Sequence, residues 1–329
     1  MLAFSGMVNA AAQPAELATS TEAVQTASIR FTTLESRLGL VSAAQKVTAA
    51  PLQSAWGCHA KLSDPRNVAC HNMTHGSMRC YANGGLDLFL LQTFFCDVCN
   101  ESRRTYVELG ALDGMKASNT KMLEDSLNFQ GVLIEGQPSN AHRLFAHRHR
   151  SGRNVIFPEA VCRTAGAATY VGRQGYGTAG VLEEMSTNYL KSWGHRFRNT
   201  SYSVPCRPIG EMLRLARSAL GFKAIDFFSL DVEGAELLVL ETFDWSIPVK
   251  LWLIELDGND LQRNDMIREM LASHGYAPYI SPAMLARTQH HFYVAQKGGT
   301  NEVFIHRDLL SSMPERVAAC NKCTSRSRR

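Results

Sequence analysis

The chain has 329 residues, of which 45% are hydrophobic and 19% are charged. This composition is typical of a globular protein and excludes a mostly disordered or collagen-like chain. The formal net charge of +4 is too small to predict nucleic acid as a partner. The sequence has no run of about 18 apolar residues, so we expect no helix that spans a membrane.

The first 104 residues differ in composition from the rest of the chain. Residues 1–57 are rich in Ala, Thr and Ser, which predicts a flexible or processed leader. Five of the nine cysteines lie between Cys58 and Cys99, which predicts a cysteine-rich extension at 58–104. In an oxidising compartment such cysteines form disulfides, whereas in the cytosol they bind a metal or stay free. We favour disulfides and, from cysteine usage alone, the secretory lumen.

From Thr105 onward, short apolar runs alternate with helical patterns, which predicts a doubly wound α/β fold with a parallel sheet. The predicted strands are 105–109, 131–134, 154–157, 224–230, 250–256, 276–280 and 291–295. The predicted helices are 119–127, 140–150, 211–220, 233–241 and 261–274. We therefore expect a seven-stranded Rossmann-like domain at 105–300, followed by a C-terminal tail at 301–329. In sheets of this kind, ligands bind at the carboxyl ends of the strands.

The first predicted strand ends in a glycine-containing turn, Tyr106-Val-Glu-Leu-Gly-Ala-Leu-Asp-Gly114. The spacing is not G-x-G-x-x-G, so it does not favour a pyrophosphate-binding dinucleotide site. S-adenosylmethionine carries an ammonium and a sulfonium instead, and acidic side chains suit these groups. The alternative is an ordinary strand-to-helix turn. The residues that could bind the amino acid end of this donor are Glu108, Asp113 and Asn119.

Two further strand ends offer donor contacts. Glu135 follows the second predicted strand, where dinucleotide folds hold ribose hydroxyls with a carboxylate. The alternative for Glu135 is a helix cap or a surface position. Glu159 and Ala160 follow the third predicted strand, at a place that usually faces the adenine.

The fourth predicted strand ends in two acidic residues, Asp231 and Glu233, followed by Gly234. Paired carboxylates at the end of a buried strand mark a candidate functional site, because neighbouring like charges raise a pKa. The alternative is that both residues only stabilise the N-terminus of the next helix. The fifth predicted strand adds Glu255 and Asp257 at the same edge of the sheet. We assign no residue as a metal ligand.

Several blocks in this order resemble the FkbM family of methyltransferases, over about residues 85–297. The blocks are the turn 106–114, Ser118-Asn-Thr120 with Leu123-Glu124, Leu133-Ile-Glu-Gly136 and Leu230-Asp-Val-Glu-Gly-Ala-Glu236. The resemblance implies a class I methyltransferase fold, S-adenosylmethionine as methyl donor, and a hydroxyl acceptor, often on a sugar or secondary metabolite. It also implies that Glu135 holds the ribose and that Asp231 and Glu233 face the reaction. The donor loop that it implies consists of Glu108, Gly110, Asp113, Gly114 and Asn119.

The sequence thus predicts an S-adenosylmethionine-dependent methyltransferase acting on a hydroxyl of a sugar, a glycan or a small metabolite. We expect Asp231 or Glu233 to take the hydroxyl proton and the other to orient the acceptor. The alternative function is a non-catalytic methyltransferase-fold binding protein of the secretory pathway. A nicotinamide-dependent oxidoreductase is disfavoured, because the chain lacks the G-x-G-x-x-G turn.

Overall fold

In the computed structural model, the described residues are 81–83, 86–95, 103–197, 200–279 and 301–310. The predicted leader, most of the cysteine-rich extension and the predicted strand at 291–295 lie outside these ranges. Within them, no helix has the length and apolar character needed to cross a membrane.

Two sheets form the framework of the described part of the chain. Its strands are β1 (Thr105–Leu109), β2 (Gln130–Ile134), β3 (Asn154–Phe157), β4 (Ala160–Val161), β5 (Gly166–Val171), β6 (Gly180–Val181), β7 (Ser201–Arg207), β8 (Phe227–Leu230), β9 (Leu251–Glu255), β10 (Tyr276–Pro278) and β11 (Asn301–His306). The main sheet has seven strands in the order β10-β11-β9-β8-β1-β2-β3, and the second sheet has the order β4-β7-β5-β6. In the main sheet only β11 runs antiparallel to its neighbours, which are β9 and β10. The predicted seven-stranded α/β fold is confirmed.

Helices cover both faces of the main sheet. They are α1 (Leu86–Phe94), α2 (Lys121–Leu127), α3 (Pro138–Arg148), α4 (Thr187–Trp193), α5 (Ile209–Leu220), α6 (Glu236–Glu241), α7 (Leu261–Ser273) and α8 (Arg307–Leu310). One face packs against α5, α6 and α7, and the other against α1, α2 and α3. Because both faces are covered, β1, β2 and β8 are buried along their whole length, which explains their nearly continuous apolar sequences.

The spacing of apolar residues in α5 shows how a helix is positioned on the sheet. Ile209, Met212 and Leu213 are fully buried, and spacings of three and four residues place them on one helix face. Gly221 ends the helix with a φ of 69°, a left-handed conformation that glycine adopts without a steric penalty.

Two predicted helices begin later than expected. The helix predicted at 233–241 begins at Glu236, because Glu233 and Gly234 have φ values of 57° and 111° and so cannot be part of a right-handed helix. The helix predicted at 119–127 begins at Lys121. The other three predicted helices agree with the observed bounds within two residues.

The end of the domain was misplaced by the sequence. The seventh strand of the sheet is β11, which lies inside the segment 301–329 that the sequence assigns to a tail. Its centre, Val303 to Ile305, is a buried apolar run, because the strand lies between β9 and β10. The α/β domain therefore extends at least to His306, and the boundary at 300 is wrong.

The second sheet was not predicted. Two of its strands, β4 and β6, contain two residues each, which is too short for a periodic pattern. In β7 the side chains of Val204 and Cys206 are buried between exposed neighbours. A disulfide joins Cys206 to Cys162, which follows β4.

Candidate active site

A cavity of about 770 Å³ lies at the carboxyl ends of β1, β2, β8 and β9, with β4, β5 and β6 contributing to its wall. Small-molecule sites commonly have volumes of about 300–1,000 Å³. The cavity is therefore large enough for a cofactor, and it lies at the sheet edge where the fold predicts a ligand.

The side chains that line the cavity include several acidic groups. None of the described residues that line it is Lys, Arg or His. The carboxylates that line it are Glu108, Glu135, Glu159, Asp231, Glu233 and Glu255. Such a wall favours a cationic ligand over a phosphate.

Gly110 is required where β1 turns toward the cavity. Its φ is 86°, and a Cβ atom there would lie 1.8 Å from the backbone oxygen of Asp231. The Gly110 N–H donates to the carbonyl of Ile134 at 3.0 Å. This one residue thus brings the ends of β1, β2 and β8 together.

Glu108 fixes the loop that precedes α2. Its carboxylate accepts hydrogen bonds from the Asn119 backbone N–H at 2.7 Å, the Ser118 hydroxyl at 2.8 Å and the Thr120 hydroxyl at 2.6 Å. Burial raises the pKa of Glu108. The Asn119 side chain lines the cavity and donates to the Ser229 hydroxyl at 2.9 Å.

Asp113 and Gly114 are not among the residues that line the cavity. Asp113 Oδ1 accepts hydrogen bonds from the backbone N–H groups of Met115 and Lys116, so its carboxylate caps its own turn. Gly114 packs against α3, where an added Cβ would lie 2.6 Å from Leu144. Both residues shape the turn without reaching the cavity wall.

Arg148 is a residue that the sequence analysis did not single out as part of the site. Its side chain is fully buried and donates to Glu124 Oε2 at 2.5 Å, the Tyr106 hydroxyl at 2.7 Å and the Gly114 carbonyl at 2.8 Å. It thereby links α3 to the turn after β1. The sequence contains little signal of this role, because Arg148 lies in a run of alternating histidines and arginines.

Glu135 is buried at the end of β2. Its Oε2 accepts the Leu112 N–H at 2.8 Å, and its Oε1 accepts the Gln137 N–H at 2.7 Å. Burial raises its pKa to about 7, against the opposing effect of these two hydrogen bonds. A carboxylate oxygen has two lone pairs, so both oxygens keep acceptor capacity for ribose hydroxyls.

Glu159 and Ala160 form the wall at the end of β3. The guanidinium of Arg207 binds both carboxylate oxygens of Glu159, at 2.5 and 3.0 Å. Ala160 packs against Gly136, where an added Cβ would approach the Ala160 Cβ to 3.2 Å. The backbone of this wall is therefore held from both sides.

Asp231, Glu233 and Glu255 lie together on the opposite side of the cavity. One oxygen from each carboxylate lies within 4.8 Å of the others. Burial and the charge of Asp231 raise the pKa of Glu255, which favours its protonated form. A hydrogen bond from Glu255 opposes the burial that raises the pKa of Asp231. The spacing also suits a divalent cation, which prefers oxygen ligands.

The turn that carries Asp231 and Glu233 is held by Glu236. The Glu236 carboxylate accepts the Val232 N–H at 3.0 Å and the Gly234 N–H at 3.1 Å. Glu233 itself has a φ of 57°, an uncommon conformation for a residue with a side chain. Strained backbone of this kind is concentrated at functional sites.

The sheet order and the position of the cavity define a Rossmann-like methyltransferase fold. A scan against protein-family models matches residues 108–278 to the Methyltransferase FkbM domain. This match covers slightly more than half of the chain, and the chain belongs to the FkbM methyltransferase family. The resemblance stated from the sequence blocks is confirmed.

Solved structures similar to this chain are distant. An FkbM methyltransferase from Methylobacillus flagellatus KT is 14% identical, with a TM-score of 0.38 over 68% of this chain and 53% of that chain. A human methyltransferase 10 domain containing protein is 8% identical, with a TM-score of 0.27 over 64% and 73%. The O-methyltransferase NcsB1 from neocarzinostatin biosynthesis, solved with S-adenosyl-L-homocysteine and 1,4-dihydroxy-2-naphthoic acid, is 11% identical, with a TM-score of 0.27 over 67% and 55%.

The chain thus spans about half the length of the FkbM structure that it matches. A search of the curated proteins finds no match. The family assignment rests on the match to the domain model.

Proposed function

We propose that this protein transfers a methyl group from S-adenosylmethionine to a hydroxyl of a small molecule or a glycan. The observation that carries the proposal is the cavity at the strand ends, whose described lining includes six carboxylates and none of the cationic side chains. This charge complements a donor with a sulfonium and an ammonium. Membership of the FkbM family supports the same activity.

The residues of the cavity fit this donor. Glu135 has acceptor capacity for two ribose hydroxyls, and the wall formed by Glu159 and Ala160 suits the flat adenine. Asn119 and the turn at Gly110 bind the amino acid end of the donor in this proposal. When bound, S-adenosylmethionine supplies an electrophilic methyl group, which must be held in line with the acceptor oxygen.

Asp231 is our candidate for the general base. It accepts a hydrogen bond from Glu255, which stabilises its ionised form against the effect of burial. A carboxylate whose pKa is raised toward the working pH is an effective proton acceptor. Asp231 takes the proton from the acceptor hydroxyl at a carboxylate oxygen. Glu233, within 4.8 Å of Asp231, orients the acceptor.

The disulfide between Cys162 and Cys206 supports an oxidising compartment such as the secretory lumen, because disulfides rarely persist in the cytosol.

Calorimetric titration of the full chain with S-adenosylmethionine, S-adenosylhomocysteine and NAD tests the donor. We expect the first two to bind with micromolar affinity and NAD not to bind, and we expect Glu135→Ala to lose the binding. Glu269→Ala is the matched control, because Glu269 is an exposed residue of α7 that does not line the cavity. A folded sample that binds neither methyl-donor ligand would overturn the proposal and favour a non-catalytic binding protein.

A further inference from the structure

The cavity wall at Glu159 and Ala160 is attached to the second sheet by very few backbone contacts. β4 contains only Ala160 and Val161, and it pairs with β7 through Ala160 opposite Cys206 and Val161 opposite Arg207. One more backbone hydrogen bond, from Cys162 N–H to the Arg207 carbonyl at 3.3 Å, extends this pairing. A strand of two residues frays easily when nothing else holds it.

The disulfide joins the two strands directly after the C-terminal end of β4. Cys162 is the first residue after β4, and its partner Cys206 lies directly opposite Ala160, with the Cα atoms of the two cysteines 5.6 Å apart. The next residue, Arg207, holds the carboxylate of Glu159. The covalent bond and the ion pair thus fasten β4 to β7 at its two ends.

A displacement of β4 would reach the donor site directly. Gly136 follows Glu135, and an added Cβ at Gly136 would lie 3.2 Å from the Ala160 Cβ and 2.9 Å from the Tyr170 ring. Ala160 and Tyr170 belong to different strands of the second sheet, and both line the cavity. The close packing at Gly136 therefore makes the position of the second sheet part of the binding geometry around Glu135.

We propose that the Cys162–Cys206 disulfide is a positioning element of the donor site, which holds the β4 wall against the adenosine part of the ligand. This inference rests on the proposed function. The disulfide does not touch the ligand; it raises the fraction of molecules in which the wall is docked. Apparent affinity scales with that fraction, so a wall docked in a tenth of the molecules weakens binding about tenfold.

Calorimetry on the full chain tests this role with two ligands. S-adenosylhomocysteine fills the whole donor site, whereas 5′-methylthioadenosine lacks the amino acid end. We expect the double variant Cys162→Ser/Cys206→Ser to bind both ligands about tenfold more weakly than the wild type, by the same factor. Unchanged affinity, or a loss confined to S-adenosylhomocysteine, would overturn the proposal.

Two controls separate positioning from loss of stability. Arg163→Ala changes the exposed turn next to Cys162 and leaves the disulfide in place, so we expect unchanged affinity. Leu271→Ala truncates a fully buried residue of α7 and lowers the melting temperature without touching β4. If Leu271→Ala weakens binding as much as the double variant does, stability alone explains the effect and the positioning role is wrong.

A second variant keeps the test open if the serine variant does not fold. Cys162→Ala/Cys206→Val fills the buried position 206 with an apolar side chain, and we expect the same weakening of both ligands. If the wild type binds neither ligand, the proposed function fails and the inference with it. If the wild type binds and both cysteine variants bind equally well, only the inference fails.

Discussion

The carboxylates at the two sides of the cavity are held in different ways. On the donor side, Glu108, Glu135 and Glu159 each accept at least two hydrogen bonds from backbone, hydroxyl or guanidinium groups. On the other side, Asp231 and Glu255 hydrogen-bond to each other, and burial raises the pKa of both carboxyl groups. Carboxylates that are already paired with other protein groups hold one constant ligand in place, whereas two carboxyl groups that hydrogen-bond to each other can exchange a proton with a substrate. The predictions below test this difference, from the largest expected effect to the smallest.

Gly110→Ala should disrupt the junction on which both sides depend. The new Cβ would lie 1.8 Å from the Asp231 carbonyl oxygen, and residue 110 would have to keep a left-handed φ. Overpacking and backbone strain together should lower the free energy of unfolding by about 4 kcal/mol. Gly152→Ala is the matched control. Gly152 has a φ of 64° with nothing within 4 Å of the added Cβ, so we expect a loss of about 1 kcal/mol. Equal losses in urea titrations would contradict the role of the junction.

Arg148→Met should weaken the donor side selectively. It removes the guanidinium from the buried Glu124 carboxylate and leaves it only Lys121, at 3.9 Å, which costs about 3 kcal/mol of unfolding free energy. The released turn at Gly114 should also weaken donor binding. Arg150→Met, at an exposed position two residues further on, is the control and should change neither quantity. Donor affinity that is unchanged in a folded Arg148→Met sample would show that the network only stabilises the fold.

Asp231→Asn should lower turnover by about tenfold or more, which corresponds to about 1.4 kcal/mol in activation free energy. Donor affinity should change little, because the donor side keeps its hydrogen bonds. Glu255→Gln is the informative partner variant, since the amide resembles the protonated carboxyl that the raised pKa of Glu255 favours. We expect it to reduce turnover less than Asp231→Asn does. The reverse order in steady-state rates would move the role of base to Glu255.

Donor binding should depend on pH through Glu135. Its pKa is raised to about 7, and ribose hydroxyls donate to the ionised form, so affinity should fall about tenfold from about pH 8 to pH 6. In the unliganded protein, the dependence of folding stability on pH has the opposite sign. The raised pKa contributes stability that is complete below about pH 4.5 and is lost as the pH rises through about 7. Calorimetric titration should show that the donor affinity of Glu135→Gln does not change across this pH range. An affinity that still falls steeply would assign the titration to another group.

Glu233→Gly should stabilise the protein and at the same time lower its turnover. Glycine adopts the φ of 57° without strain, so the free energy of unfolding should rise by about 1 kcal/mol. Loss of the carboxylate should reduce turnover, since Glu233 orients the acceptor in our proposal. Glu233→Asn is the control, because asparagine also tolerates this φ and also removes the carboxylate. A less stable Glu233→Gly protein in thermal melts would contradict the presence of strain.

The sequence predicted the parts of this molecule that follow a simple period. The buried strands and α5 repeat apolar residues at the spacing of their element, and the acidic residues come directly after those strands. The sequence therefore located Glu135 and Asp231 correctly at the ends of β2 and β8. That they act in binding and catalysis remains a proposal.

The parts that the sequence missed depend on contacts between distant segments. Asp113 is an acidic residue in a promising turn, but only the local hydrogen bonds with Met115 and Lys116 show that its carboxylate is used there. Arg148 is buried because it donates hydrogen bonds to Glu124 and Tyr106 in other elements. The spacing of residues along the sequence does not reveal such contacts. The alternation in β7 was a usable signal for the second sheet, whereas the two-residue strands were not.

The position of β11 has a consequence for how the protein is made. β11 is the last of the described strands to leave the ribosome, yet it lies between β9 and β10 in the finished sheet. Until it emerges, β9 has an unpaired edge and β10 lacks the strand that joins it to the sheet, and exposed edges of this kind promote aggregation. The nascent chain thus carries an incomplete core through most of its translation. A premature stop codon before Asn301 would release the domain in that state.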